Sequence, residues 1–307
     1  MINIDTAIAV IGGLAFFVYG MNLMSDGLQQ IAGERLKSIL SLMTKNRFLA
    51  IFTGALVTAV IQSSSATSVM TVGFVNAGLL SLVQAIGVIF GANIGTTFTG
   101  QLVSLKLDSL AMPSIIIAVT GLLIAKKPHL RGILKTLLGF GLLFYGMSLM
   151  SSELKALAGN ETFLKVFSSF DCTPKAGEAM AFSHVLGAVA VGTACTMLVQ
   201  SSSATIGITI ALAESGVISV WTAVPIVFGD NIGTTVTALL ASIGTNANAR
   251  RAALAHALFN LIGTTIIITS FLVTVEAAGF HAPAFMVAVD EFVSGCSLKG
   301  EHPGRFV

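Results

Sequence analysis

Charge is scarce in this 307-residue chain: 10% of its residues are Asp, Glu, Lys or Arg, against 54% hydrophobic. A soluble domain carries about 25% charged residues, so this chain has too little polar surface to stay dissolved in water. Cysteine is scarce as well. Cys172, Cys195 and Cys296 follow no metal-ligand spacing and are too few for a disulfide framework. Ten-residue segments of alternating polarity are missing, which excludes a transmembrane barrel. A net charge of +2 gives no reason to expect a nucleic-acid partner. Two long stretches have no Lys or Arg at all, one from Phe48 to Leu105 and one from Ala176 to Ala249.

What is present is a series of apolar stretches along most of the chain, far longer than the hydrophobic region of a signal peptide. They contain 31 glycines and scattered Ser and Thr. Helices cross lipid because they satisfy their own backbone N–H and C=O groups, and small residues let them pack closely. The expected fold is an all-α polytopic protein of the cell (inner or plasma) membrane, with the lipid bilayer as its solvent.

The chain is internally duplicated. Gln62–Thr97 and Gln200–Thr235 align without a gap, with 17 of 36 positions identical, and both begin QSSSAT and end NIGTT. Upstream, FFVYGMNLMSDGLQQIAG ending at Gly33 matches LLFYGMSLMSSELKALAG ending at Gly159. This divides the chain into repeat 1 (1–125), repeat 2 (126–275) and a tail of mixed composition (276–307). Basic residues mark cytoplasmic loops. They cluster at 34–47 and 126–135 and at Arg250 and Arg251, whereas 151–178 has three Lys against four acids. The basic bias changes sides between the copies, so the two repeats are expected to have inverted topology, a pattern common among secondary transporters. On this reading 34–47, 126–135 and 248–251 lie inside, and 106–112 and 151–178 outside.

The apolar run before the first QSSS covers Ile51–Ile61 and the one after it Val69–Leu80, 11 and 12 residues, while a spanning helix needs about 20. Each run is therefore read as a half-helix or re-entrant segment, with the polar tetrad where the pieces meet. Paired discontinuous helices are the best sequence pointer to a transport site. Helix N-termini suit an oxyanion, and hydroxyls and carboxamides serve an anion and a hard cation alike. Gln62, Ser63, Ser64, Ser65, Gln200, Ser201, Ser202 and Ser203, with Asn93 and Asn231, are the candidate contacts for an oxyanion such as phosphate. Thr67, Thr96, Thr97, Thr205, Thr234, Thr235 and Asp230 are the candidate contacts for a hard cation such as sodium. An intramembrane acid is a functional candidate by default, and Asp230 stands where repeat 1 has Ala92. With no basic side chain to offset the charge on phosphate, a co-bound cation is expected to do so. Packing and function weigh equally for His256 and Asn260, which stand four apart on one helix face.

At these residues the chain resembles the type II sodium/phosphate cotransporter family, which is marked by a duplicated QSSS segment followed by a GxNIGT[TS] segment. The likeness covers roughly residues 8–272, including Arg250–Asn260. It implies symport of inorganic phosphate driven by sodium, with the QSSS serines as phosphate and sodium contacts and no organic cofactor. A carrier of another oxyanion such as sulfate would use the same donors and stays open, as does a homo-oligomer. An intramembrane serine hydrolase using Ser201 with His184 or His256 lacks a nucleophile turn, and a single acyl-transfer site has no use for three duplicated serines. A channel would need a continuous polar path, which these segments do not supply. The chain is therefore not read as an enzyme.

Overall fold

The structure, a computed structural model, describes residues 4–32, 46–105, 107–173 and 181–270, and the backbone of 274–277 and 280–283. Eleven helices are found among them: α1 (Ile4–Ala32), α2 (Arg47–Ile61), α3 (Ser64–Asn76), α4 (Leu82–Ser104), α5 (Asp108–Ile124), α6 (Pro128–Leu157), α7 (Glu161–Ser168), α8 (Phe182–Val199), α9 (Ser202–Glu214), α10 (Val220–Ala241) and α11 (Ala247–Ser270). Six of these, α1, α4, α6, α8, α10 and α11, are long and apolar enough to cross a membrane. Large apolar side chains such as Leu123 and Leu198 are exposed around the bundle, as expected of a surface that faces lipid. The fold is that of an all-helical polytopic membrane protein, to which the structure adds a short antiparallel pair, Thr274–Ala277 with Phe280–Pro283. The basic stretch 34–45, the residues 174–178 and most of the tail lie outside the described residues.

Each copy of QSSS sits at the tip of a helical hairpin. Around Gly54, Gly87, Gly91 and Gly95, α2 lies against α4 with residue numbers rising together (Ala50 by Gly87, Thr58 by Gly95), so the two run parallel. α3 therefore runs back antiparallel to both. At 1.5 Å per residue, α2 (15 residues) and α3 (13) are roughly 22 and 20 Å long, short of the roughly 30 Å hydrocarbon core. α4 (23 residues) reaches roughly 34 Å. α2 and α3 are thus each shorter than the hydrocarbon core, in line with the short apolar runs. Repeat 2 builds the same unit from α8, α9 and α10, where Gly192, Gly229 and Gly233 make the matching contacts.

Local chemistry explains the breaks. Ser63 and Ser201 are N-caps whose Oγ atoms accept from Ala66 N (3.1 Å) and Ala204 N (3.3 Å). Gln62 and Gln200 reverse the chain at φ 57° and 58°, and among the described residues they are the two non-glycines in the left-handed region. Such a conformation costs about 1–3 kcal/mol and is held only where the surroundings impose it. The return turns use Gly78 and Gly216 at φ 74° and 75°, and Ser81 opens α4 with a capping box to Gln84.

The outer scaffold is a pair of long helices. α1 and α6 pack along a glycine seam in which Gly13 faces Gly146, Gly20 faces Gly139 and Gly27 faces Gly132. One series rises as the other falls, so α1 and α6 run antiparallel. A Cβ at Gly20 would lie 2.5 Å from Leu143 N, so the helices approach backbone to backbone. Phe17, fully buried, reaches from α1 to Gly207 of α9. α3 packs against α10 and α11, and α9 against α4. Each hairpin is thus held by helices of the other repeat.

Candidate functional site

The two hairpin tips meet. Ser64 Oγ lies 3.5 Å from Ser202 Oγ, with both residues buried at the first turns of α3 and α9. Ser203 Oγ reaches Gln62 O at 3.5 Å. Two helix N-termini, from opposite halves of the sequence, therefore converge on one point. Gln62 Oε1 accepts from Thr99 Oγ1 (2.9 Å), which pins the first tip deep along α4. Ser65 and Ser203 follow on the same turns, Ser65 half-buried and Ser203 buried.

Behind each tip is a threonine pair that bridges the hairpin. Thr58 Oγ1 donates to Thr67 Oγ1 (3.0 Å) in repeat 1, and Thr196 and Thr205 are 3.1 Å apart in repeat 2. Among the described residues only the second pair has a carboxylate over it. Asp230 is fully buried, its Oδ1 is hydrogen-bonded by Thr196 Oγ1, and its Oδ2 has no hydrogen-bond partner among the described residues. Oxygens from Asp230, Thr196 and Thr205 thus converge in an oxygen-only setting that suits a hard cation. The sequence reading named Thr67, Thr205 and Asp230 but missed Thr58 and Thr196. The signal was available, because a Thr stands four residues before Gln in both copies.

The NIGTT residues divide. A cavity of about 520 Å³ lies between α4, α10 and α11, lined by Asn93, Thr96, Thr97 and Asn231, with Asn260 and Thr264 from α11. None of the QSSS serines lines it. Thr234 and Thr235 are buried and turn their hydroxyls back to Asp230 O (2.9 Å) and Ile232 O (2.8 Å). Thr96 likewise bonds Ala92 O (3.2 Å), and Thr97 is exposed. Asn93 is hydrogen-bonded to both His256 and Asn260, so the structure brings that pair to a predicted site residue. His184 lies elsewhere, at Asp171 O (2.8 Å).

The family model described as Na+/Pi-cotransporter matches residues 16–152 and 179–280. The uncharacterized protein YqeW of Bacillus subtilis (strain 168) is 32% identical over 259 residues, covering 83% of this chain and 79% of the relative. The Escherichia coli (strain K12) protein named "Putative inorganic phosphate export protein YjbB" is 27% identical over 274 residues, 89% of this chain and 48% of its own length. The human "Sodium-dependent phosphate transport protein 2B" is 35% identical over 105 residues, 34% of this chain and 15% of its own length. The chain therefore spans about half of the E. coli protein and a small part of the human one. No solved structure matches it.

Proposed function

The chain belongs to the Na+/Pi-cotransporter family, and on that premise we propose that it is a sodium-coupled symporter of inorganic phosphate, built from two repeats of inverted topology that share one site. The family is one of transporters, not enzymes, and the chain is a multi-pass membrane protein. The observation that carries the reading is the meeting of the tips at Ser64 and Ser202. Two helix N-termini aimed at one point offer backbone N–H groups and dipole ends to an oxyanion. The antiparallel run of α1 and α6, which are sequence equivalents, supports the inversion: Gly13 pairs with Gly146, and their repeat counterparts Gly139 and Gly20 pair with each other.

In this conformation the serine hydroxyls touch, leaving no space for a phosphate between them. We assign Gln62–Ser65 and Gln200–Ser203 to phosphate once the tips part, with Asn93 and Asn231 on the adjoining cavity. Sodium takes Asp230, with Thr205 and Thr196, because a buried carboxylate with an unpartnered oxygen is costly without a counter-charge. Thr67, Thr96, Thr97, Thr234 and Thr235 keep their assignment as further sodium contacts. Because the stretches that carry both motifs, 48–105 and 176–249, contain no Lys or Arg, the cation offsets the charge of phosphate, which makes its binding depend on sodium. The test is uptake of labelled phosphate into proteoliposomes. We expect accumulation with an inward sodium gradient and little with potassium or choline. Equal uptake in all three salts rejects sodium coupling, and preferential uptake of sulfate moves the substrate to another oxyanion.

A further inference from the structure

α11 contributes a hydrogen-bonded ring whose direction can be deduced. Asn260 Nδ2 donates to His256 O (3.1 Å), an atom that can only accept. That fixes the Asn260 carboxamide, leaving Oδ1 to accept from Asn93 Nδ2 (3.0 Å). Asn93 is fixed in turn, so its Oδ1 faces His256 Nε2 at 3.4 Å and Nε2 carries the hydrogen. Turning either amide over would set acceptor against acceptor. The loop closes through His256, which is fully buried and whose Nδ1 has no partner among the described residues. A buried imidazole with an unused nitrogen is costly as mere packing, so its single bond needs a purpose.

Each carboxamide nitrogen has two hydrogens, and the ring uses one of each. Asn93 and Asn260 both line the 520 Å³ cavity. Asn231, the repeat counterpart of Asn93, lines the same cavity, and no hydrogen bond holds its side chain among the described residues. The residues of repeat 1 matching His256 and Asn260 are Ala118 and Leu122, so no second ring is built. The Phe90–Phe259 stack (4.1 Å between centroids) holds α4 and α11 together one turn away.

We propose that His256 and Asn260 are positioning residues, which lock Asn93 so that the cavity wall offers carboxamide N–H donors, and never its carbonyl oxygen, to an oxyanion. α11 thus sets substrate preference from outside the duplicated motifs. This rests on the transport reading above, with phosphate as the oxyanion. In proteoliposomes, His256→Ala is expected to raise the phosphate concentration for half-maximal uptake roughly tenfold, the effect of one buried hydrogen bond lost. At saturating phosphate, sodium half-saturation and maximal rate should change less than about twofold. His256→Gln, which can donate to the same Asn93 oxygen, should restore most of the affinity. In an Asn93→Ala background, His256→Ala should add less than about twofold, since it acts through Asn93. Full additivity, or equal damage from His256→Ala and His256→Gln, overturns the positioning role alone. Wild-type protein with no sodium-driven phosphate uptake overturns the transport reading and this inference with it.

Discussion

The two repeats are nearly the same machine and not the same site. Gln62 and Gln200 adopt the same left-handed conformation, and Ser63 and Ser201 cap in the same way. Thr58–Thr67 and Thr196–Thr205 bridge the hairpins at 3.0 and 3.1 Å. Yet the position of Ala92 in repeat 1 is taken by Asp230 in repeat 2, and Asn93 is held by α11 whereas Asn231 is not. Thr97 is exposed and Thr235 buried. What was kept in duplicate is the backbone device, two broken helices whose N-termini meet. What diverged is charge: the carboxylate went to repeat 2 and the anchored amide to repeat 1. A symmetric scaffold can thus present an anion and a cation with different ligands on its two sides.

The contact between the tips gives the most severe way to break this comparison. With the native cysteines replaced, Ser64→Cys with Ser202→Cys should cross-link under oxidation, because the two Oγ atoms are already 3.5 Å apart. Phosphate uptake should fall to background and return with a reductant. Normal uptake by fully cross-linked protein would mean the tips never part. Next in size is the carboxylate. Asp230→Asn should raise the sodium concentration for half-maximal uptake about tenfold or more, by removing the charge from a buried cation site, and move phosphate half-saturation far less. Ala92→Ser, the matching position, should shift sodium dependence little. Equal effects at the two positions would erase the asymmetry. Smallest are the scaffold glycines. Gly20→Ala and Gly146→Ala, repeat counterparts on the α1–α6 seam, should each cost about 1–3 kcal/mol through overpacking, read as matched falls in detergent melting temperature. A mismatch would show that the seam is not used symmetrically.

Much of this was legible in the sequence for a definite reason: polar motifs in apolar helices stand out, and duplication makes them stand out twice. The break at Gln62–Ser63 followed from apolar runs too short to span, and Asp230 from an acid where its copy has alanine. The parallel run of α2 and α4 was not legible, because it depends on Gly54 meeting Val88 and Gly91 meeting Ile51, contacts that apolar composition does not encode. Nor was the passage of α11 onto α3 and α4. Its repeat counterpart α5 packs instead on α6, so duplication pointed away from the answer. His256 and Asn260 could be weighed but not placed until their partner Asn93, 163 and 167 residues away, was known. Thr58 and Thr196 lie outside the QSSS motif, where a lone Thr in an apolar helix looks like one that only bonds its own backbone.

The central claim is that a cation and an oxyanion share one site in which no basic side chain among the described residues holds the anion. Equilibrium binding of phosphate to the purified protein, titrated in sodium, potassium and choline chloride at equal ionic strength, tests it most directly. The account predicts phosphate affinity at least about tenfold higher in saturating sodium, with sodium affinity raised by the same factor when phosphate is bound, as linkage requires. Equal phosphate affinity in all three salts would contradict it.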